Sequence, residues 1–201
     1  MTQVKAPSSL RHHRSGNQSA LLLIDLINTW QYAEGAQLLK QTLKIVPSIQ
    51  ALRERAKKNA IPVIYANDNF GQWRSDFKKV IAKVKTSDSE AAAVLQTLHP
   101  DEDDYFLLKP KHSAFYATPL DILLQHLRVS TLVLCGVAGD QCILATAFDA
   151  KLRDYKVIIP RDAIASASKE RNAAILKHFR DVMGLNTPLS SRLRLRASKT
   201  R

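Results

Sequence analysis

Three side chains that together could support nucleophilic chemistry are Asp25, Lys109 and Cys142, and each lies at or beyond the C-terminal end of a segment predicted to be a buried strand. A thiol attacks carbonyl carbons as its thiolate, a carboxylate can accept the thiol proton, and an ammonium group can stabilise the resulting anion. These residue types therefore predict thiolate catalysis. The structural alternative is an Asp25–Lys109 ion pair that only joins strand ends, and it leaves the thiol unexplained.

Cys142 stands in a short turn between an apolar, β-branched run at 131–135 and an Ala- and Leu-containing stretch at 143–150. A strand, a tight turn and a helix in this order expose a nucleophile above a sheet. A helix N-terminus also favours negative charge, so we expect a lowered pKa for the Cys142 thiol. The alternative is a small buried hydrophobic residue, as free cysteines often are. Cys135 lies within the predicted strand, so a disulfide with Cys142 is not expected.

Strand and helix patterns alternate along the chain. Strands are predicted at 20–26, 61–66, 105–108, 131–135 and 156–159, and helices at 43–58, 75–84, 87–98, 118–127, 143–150 and 169–179. This alternation predicts an α/β fold, a three-layer α/β/α sandwich with a mainly parallel, Rossmann-like sheet. Ligands bind beyond the carboxyl ends of the strands in such sheets, which is where the three reactive side chains are expected.

Residues typical of helix ends support several of these boundaries. Pro47 is expected in the first turn of the first predicted helix. Ser87 has capping-box spacing because a glutamate follows it three residues later. Thr118 and Pro119 fit the N-cap and the first position of the fourth predicted helix.

The composition suits one globular domain, since the chain has 201 residues of which 45% are hydrophobic. The formal net charge of +12 falls to about +4 when the cations near the two ends are set aside. We therefore expect a flexible basic arm at 1–18, a folded domain at 19–185 and a mobile basic tail at 186–201. No nucleic-acid-binding module is visible, so no specific nucleic-acid partner is expected. No run is long and apolar enough to span a membrane, and no signal peptide is visible, so a cytoplasmic location is expected.

Three segments carry a resemblance to a known family. Asp25 lies in LLLIDLINTW, Lys109 in LLKPKHSAFYATPLDILL, and Cys142 in LVLCGVAGDQCILATAFDA. In this order the segments resemble the isochorismatase-like cysteine hydrolases, which include nicotinamidases and N-carbamoylsarcosine amidohydrolases. The resemblance extends over the body of the chain, from about 20 to about 168. Spacing from Ser113 matches Lys109 to the family's catalytic lysine, with Lys111 as the alternative.

The resemblance implies a hydrolase that cleaves a C–N bond (amide, ureido or carbamoyl) of a small molecule without a cofactor. Asp25 would take the proton of Cys142, the thiolate would attack the carbonyl carbon, and Lys109 would stabilise the charged pair and lower the thiol pKa. The backbone N–H groups of Ala138 and Cys142 would bind the oxyanion, beside a cis peptide bond between Val137 and Ala138. Loss of ammonia would leave a thioester, hydrolysed by a water that Asp25 activates. Family members commonly form dimers or tetramers, so a homo-oligomer is expected.

Substrate-binding residues are predicted in the same segments and in the polar loop after the second strand. They are Asn28, Trp30, Asn67, Phe70, Trp73 and Val137. Aromatic side chains would form the walls of the pocket, and amides would orient a polar substrate. The alternative for Phe70 and Trp73 is that they only pack this loop onto the body.

The loop after the second strand contains Asp68 but no histidine. Nicotinamidases hold a divalent metal in this region through an Asp-x-His motif and a further histidine, so we predict no metal here. His112 stands beside Ser113. Adjacent residues in a turn rarely face each other, so a Ser–His nucleophile pair is not expected.

Two other functions stay open on the sequence. Isochorismatase chemistry would hydrolyse a vinyl ether with the aspartate as acid and would not need the cysteine, so the presence of Cys142 argues against it. A non-catalytic scaffold would use the basic ends to bind a partner, but it has no need of all three reactive groups.

Overall fold

The computed structural model describes residues 18–74, 76–87 and 89–197. The strands in these ranges are β1 (Gln18–Ile24), β2 (Val63–Asp68), β3 (Tyr105–Lys109), β4 (Val129–Val137), β5 (Lys156–Ile158) and β6 (Ile164–Ala165). They form one sheet in the order β3-β2-β1-β4-β5, and β6 pairs with the C-terminal end of β4. Every pairing among these strands is parallel.

Helices cover both faces of the sheet. They are α1 (Gly35–Lys58), α2 (Phe77–Lys85), α3 (Ser89–Thr97), α4 (Leu120–His126), α5 (Leu144–Leu152) and α6 (Lys169–Asp181), with a π-helical turn (Gly139–Ile143) before α5 and a 3-10 turn (Ser190–Arg192) near the end. The first three helices pack on one face and the last three on the other. This arrangement confirms the predicted three-layer α/β/α sandwich.

The central strand β1 illustrates how the sheet is buried on both sides. Leu21 and Leu23 belong to the apolar layer that includes α1, whereas Leu22 and Ile24 belong to the opposite layer. All four side chains are fully buried. A parallel strand between two helical layers has this pattern because successive side chains point to opposite faces.

The strand order places a switch point beside β1. The chain runs from β1 outward to β2 and β3, and then crosses to β4 on the other side of β1. A crevice opens at the carboxyl ends of the strands where the direction of winding reverses. Asp25 follows β1 and the turn with Cys142 follows β4, so both residues reach this crevice, and Lys109 ends β3 at the same edge of the sheet.

The first helix begins earlier than predicted, which changes the position of its proline. Because α1 starts at Gly35 and has 24 residues, Pro47 lies in its interior and not in its first turn. An interior proline removes one backbone hydrogen bond and costs about 3 kcal/mol. Burial of an apolar face that includes Ile49 and Leu52 offsets this cost.

Two predicted caps concern the starts of α3 and α4. The Ser87 hydroxyl donates to the Val84 carbonyl at 2.7 Å and so closes α2, whereas its capping of α3 stays a prediction, because residue 88 lies outside the described residues. Pro119, not Thr118, is the residue that flanks α4. The Thr118 hydroxyl still accepts the N–H of Leu120 at 3.3 Å, so the predicted start of this helix is wrong by one residue.

The segment 186–197 packs on the body, in contrast to the mobile tail expected from 186. Leu193 is 8% exposed and joins the apolar layer beside α1. The Arg55 guanidinium donates to the Leu193 carbonyl at 2.5 Å, and the Arg196 carbonyl accepts the N–H of Ser19 at 2.8 Å. The prediction of a mobile tail is therefore wrong for these residues, because apolar and backbone contacts anchor them between exposed basic side chains.

Residues 1–17 of the predicted basic arm lie outside the described residues, as do residues 198–201. None of the helices in the described ranges combines the length and the apolar character needed to cross a bilayer.

Candidate active site

Asp25, Lys109 and Cys142 meet at the carboxyl edge of the sheet. The Lys109 Nζ lies 2.9 Å from Asp25 Oδ2 and donates to Cys142 Sγ at 3.4 Å. Lys109 starts from β3, two strands away from β1, so its side chain extends past β2 to reach both partners. The three side chains predicted to act together are thus in contact. An Asp25–Lys109 ion pair that only joins strand ends would not need the thiol beside it.

Close approach of β1 and β4 brings Asp25 next to the turn that carries the cysteine. Gly136 of β4 has φ 114, and a Cβ there would lie 2.1 Å from the carbonyl oxygen of Ile24 in β1. A side chain at this position would push the two strands apart and would also be strained at such a φ. Glycine therefore sets the spacing between the carboxylate and the thiol.

The turn that carries Cys142 links β4 to α5, as the strand–turn–helix pattern predicted. The peptide bond between Val137 and Ala138 is cis, as the family resemblance implies. The Ala138 carbonyl accepts the N–H groups of Gln141 and Ile143, each at 3.1 Å. These bonds hold the π-helical turn and place Cys142 at the start of the helical segment.

Acceptors surround the ammonium group of Lys109, whose side chain is fully buried. Asp68 Oδ2 lies 3.6 Å from Nζ, and the Lys111 carbonyl accepts from it at 3.3 Å. Asp25 is fixed in turn, because its Oδ1 accepts the backbone N–H of Asp68 at 2.8 Å. Lys109 is therefore the lysine of the site, and Lys111 contributes its backbone carbonyl.

The shared burial determines the ionisation of the three groups. Burial raises the pKa of the Asp25 carboxyl, and Lys109 offsets part of this rise. Burial lowers the pKa of Lys109, but the attraction of Asp25 and the thiol outweighs it, so the pKa stays above its ordinary value. Burial and the Asp25 charge also raise the pKa of Cys142, with Lys109 opposing them. The expectation of a lowered thiol pKa is therefore wrong for the unliganded site.

A cavity of about 260 Å³ opens above these groups. Asn28, Phe70 and Val137, three of the residues predicted to bind substrate, line it. The wall also contains polar and charged side chains that the sequence did not single out for it: Tyr32, Glu34, Asp68, His112, Gln141 and Arg171. A cavity of this size fits a small polar molecule.

Three residues predicted to bind substrate lie outside the cavity. Trp30 is 5% exposed and packs in the apolar layer beside α1. Asn67 is fully buried and donates to the Ile27 carbonyl at 2.7 Å, so it supports the loop after β1 from behind. Trp73 is 80% exposed on the loop after β2, away from the cavity. The prediction that these three side chains line the pocket is therefore wrong.

The sequence analysis missed two notable residues at the pocket. His112 Nδ1 lies 3.5 Å from Cys142 Sγ, although the sequence argument considered this histidine only as a partner of Ser113. Its position three residues after Lys109 was the available signal. Arg171 at the start of α6 bonds Asp140 at 2.6 Å and Glu34 at 2.8 Å, and nothing in the local sequence indicated that it would reach the pocket.

The described residues contain no group of three or more His, Cys, Asp or Glu side chains arranged to hold a metal ion. The carboxylate at the end of β2, Asp68, faces the Lys109 ammonium at 3.6 Å. This cationic neighbour does not fit a metal of the kind that nicotinamidases bind, and no step below uses one. Cys135 and Cys142 are both free thiols.

Known proteins resemble this chain over most of its length. The family model of the isochorismatase domain matches residues 19–189. The chain is 42% identical to an uncharacterized isochorismatase family protein, YaaI, of Bacillus subtilis strain 168, over 82% of this chain and 90% of that protein. It is 27% identical to N-carbamoylsarcosine amidase of Arthrobacter sp, over 74% of this chain and 60% of that protein.

The fold has solved counterparts as well. The pyrazinamidase/nicotinamidase from Streptococcus mutans UA159 superposes with a TM-score of 0.66 and 27% identity, over 85% of this chain and 99% of that chain. Sequence and structure comparisons thus point to the same group of proteins. The chain belongs to the isochorismatase family of hydrolases.

Proposed function

We propose that this protein hydrolyses a C–N bond of a small amide, ureido or carbamoyl compound through a thioester on Cys142. The observation that carries the proposal is the contact of Lys109 with both Asp25 and Cys142, at 2.9 and 3.4 Å, beneath a cavity. Relatives named as amidases give the class of bond.

In the acylation step, Asp25 accepts the Cys142 proton while the sulfur attacks the carbonyl carbon of the substrate. A raised pKa suits Asp25 to this role, because the carboxylate then holds a proton more readily. Lys109 stabilises the thiolate as it forms. Asp25 next passes the proton to the leaving nitrogen, ammonia departs, and the acyl group stays on sulfur.

Two backbone N–H groups, of Ala138 and Cys142, stabilise the oxyanion of the tetrahedral intermediate in this proposal. They belong to the turn that the Ala138 carbonyl organises. Fixed N–H donors of this kind act on charge that develops only in the transition state, and loss of one typically costs about a hundredfold in rate. Asn28, Val137 and Phe70 line the cavity around the substrate.

Ammonia release from a panel of small amides, ureido acids and carbamoyl compounds tests the proposal. We expect turnover in the wild type and a loss of at least about a thousandfold in Cys142→Ala, because the nucleophile is gone. Cys135→Ala is the matched control, since Cys135 is a free thiol buried in β4 away from the pocket. It should retain activity.

Each other result contradicts a defined part of the proposal. Turnover that survives in Cys142→Ala would exclude the thioester. If no compound of the panel releases ammonia and isochorismate is hydrolysed, vinyl-ether chemistry replaces the C–N assignment. If neither reaction occurs, the scaffold function is favoured.

A further inference from the structure

We propose that the protein has a second binding site, an anion site for a phosphate group, in a cavity between α1, the segment after β5 and the start of α6. This second cavity measures about 280 Å³ and shares no lining residue with the catalytic cavity. A volume of this order accommodates a small molecule. The inference does not rest on the proposed reaction, because binding alone tests it.

Three cationic side chains from separate elements line the second cavity. They are Lys44 of α1, Arg161 after β5 and Lys169 of α6, and all three are exposed. The described residues that line the cavity include no Asp or Glu, and none of the three cations forms a salt bridge with a described carboxylate. Lys44 donates to the Gln41 amide oxygen at 2.8 Å and Arg161 to the Thr187 carbonyl at 3.5 Å. These neutral partners leave the charges uncompensated, so the wall is cationic.

A buried hydroxyl without a partner lies in the same wall. Ser166 lines the cavity and is fully buried, and its Oγ makes no hydrogen bond with any described residue. A buried hydroxyl that makes no hydrogen bond costs free energy. A phosphate oxygen that accepts from Ser166 removes this cost. The hydroxyl thus distinguishes the site from a cluster of surface cations.

The first turn of α6 also faces the second cavity. Ser168 is the N-cap of this 13-residue helix, and it lines the cavity together with Lys169. The N-terminus of a helix carries partial positive charge and favours anions. Glu170, the acid in this turn, is exposed and is not among the residues that line the cavity. The helix end therefore adds to the field of the three cations.

These features favour phosphate over carboxylate. A phosphate group carries close to two negative charges and at least three acceptor oxygens. It can therefore contact cations from several elements and the Ser166 hydroxyl at once. A carboxylate has one charge and two oxygens, and it would leave most of the cationic wall uncompensated.

One short segment borders both cavities. Ser166 and Ser168 line the second cavity, whereas Ala167 between them lines the catalytic cavity. Ser166 also packs against Gly139, where an added Cβ would lie 3.0 Å from the Ser166 Oγ. Gly139 begins the turn that carries Cys142. A phosphate bound to Ser166 therefore contacts a residue that touches the catalytic turn.

Isothermal titration calorimetry with inorganic phosphate, glycerol 3-phosphate and acetate at equal ionic strength tests the site. We expect one phosphate per chain, and acetate should bind at least about tenfold more weakly because it has half the charge. Ser166→Ala changes no charge and should weaken phosphate binding by about tenfold, as for loss of one hydrogen bond to a charged group. None of the substituted positions lines the catalytic cavity, so such a loss reports the second site.

A matched pair of lysines separates the site from general attraction to a basic protein. Lys40→Ala is the control, because Lys40 is exposed on α1 one turn before Lys44 and does not line the cavity. Both substitutions remove one charge from the same helix. We expect Lys44→Ala to weaken phosphate binding by about fivefold or more, as for loss of a charge-assisted contact, and Lys40→Ala to bind as the wild type. Far-UV circular dichroism checks that each variant is folded.

The outcomes decide both the existence of the site and its ligand. Tighter binding of glycerol 3-phosphate than of inorganic phosphate supports a site for a phosphorylated metabolite, and the reverse order supports a site for free phosphate. Acetate that binds as tightly as phosphate would overturn the phosphate assignment. A wild type that binds no phosphate, an unchanged affinity in Ser166→Ala, or equal losses in Lys40→Ala and Lys44→Ala would each overturn the site.

Discussion

The Cys142 thiol is protonated in the resting site because burial and the Asp25 charge raise its pKa more than Lys109 lowers it. A protonated thiol reacts slowly with oxidants and alkylating agents. In the proposed mechanism, the thiolate forms only when the Cys142 proton moves to Asp25, so the nucleophile appears together with the substrate that it attacks. This arrangement differs from cysteine sites in which a permanent thiolate waits for substrate.

Asp25→Asn tests this balance of charges. The amide removes the negative charge that raises the thiol pKa and leaves Lys109 in place, so the pKa of Cys142 should fall. A thiol with a raised pKa is less ionised at neutral pH. A fall of one unit in its pKa gives about tenfold more thiolate. We expect Asp25→Asn to react with iodoacetamide at pH 7 at least about tenfold faster than the wild type, although ammonia release is lost.

Peptide mapping provides the internal control for that experiment. Cys135 is fully buried in β4, where burial also raises its pKa, so its slow labelling should be the same in both proteins. Slower labelling of Cys142 in Asp25→Asn would contradict the expectation, because it would mean that the carboxylate acts mainly as the base of the thiol.

The meeting of the three residues proposed to carry the chemistry was more predictable than the identity of the residues that line the pocket. Asp25, Lys109 and Cys142 stand out because a charged or reactive group at the end of an apolar strand is costly without a purpose. Trp30 and Asn67 come from the same segments, but they turn inward to the core and to a backbone carbonyl. The direction of a side chain depends on loop conformation, which local sequence does not specify.

At the scale of the elements, buried strands were predicted best. Continuous apolar runs identify β1 and β4 because both faces of these strands are covered. The two-residue strand β6 escaped prediction, since it exists only through its pairing with the end of β4. The extra turns at the start of α1 were missed for a similar reason, because Pro47 gave a plausible but incorrect first turn.

The C-terminal segment shows the same dependence on distant contacts, and Leu193 tests it. Leu193→Ala removes a side chain that is 8% exposed and packs beside α1. We expect the free energy of unfolding to fall by about 2 kcal/mol or more. The neighbouring exposed Arg194→Ala should change it by less than about 0.5 kcal/mol. Urea unfolding measures both, and equal midpoints would show that the segment contributes nothing to the fold.

At the scale of the whole molecule, the candidate active site requires both halves of the sheet. Asp25 and Lys109 belong to the β1–β2–β3 half, and the Cys142 turn belongs to the half that follows β4. Arg171 of α6 closes the rim through Asp140 and Glu34. The groups therefore meet only when the complete domain has folded, so partial folding leaves the cysteine without its partners.

The outer face of the layer formed by α4, α5 and α6 bears on the predicted homo-oligomer. Large apolar side chains are exposed there: Ile122 by 73%, Phe148 by 55%, Leu152 by 72% and Val182 by 72%. Phe148 and Leu152 are one helical turn apart and face the same direction. An exposed apolar pair on one helix face is typical of protein contacts, and we propose that a second copy of the chain covers it.

Light scattering of the double variant Phe148→Asp, Leu152→Asp tests this interface. In the double variant, two carboxylates would have to be buried in the contact, which costs free energy that burial of the apolar side chains does not. We therefore expect an oligomeric wild type and a monomeric double variant. Unfolding of the double variant should not depend on protein concentration. Trp73→Asp is the control, because Trp73 is 80% exposed on a loop and not on this face. It should keep the mass of the wild type. A monomeric wild type would remove the predicted oligomer, whereas an unchanged mass in the double variant would move the interface to another face.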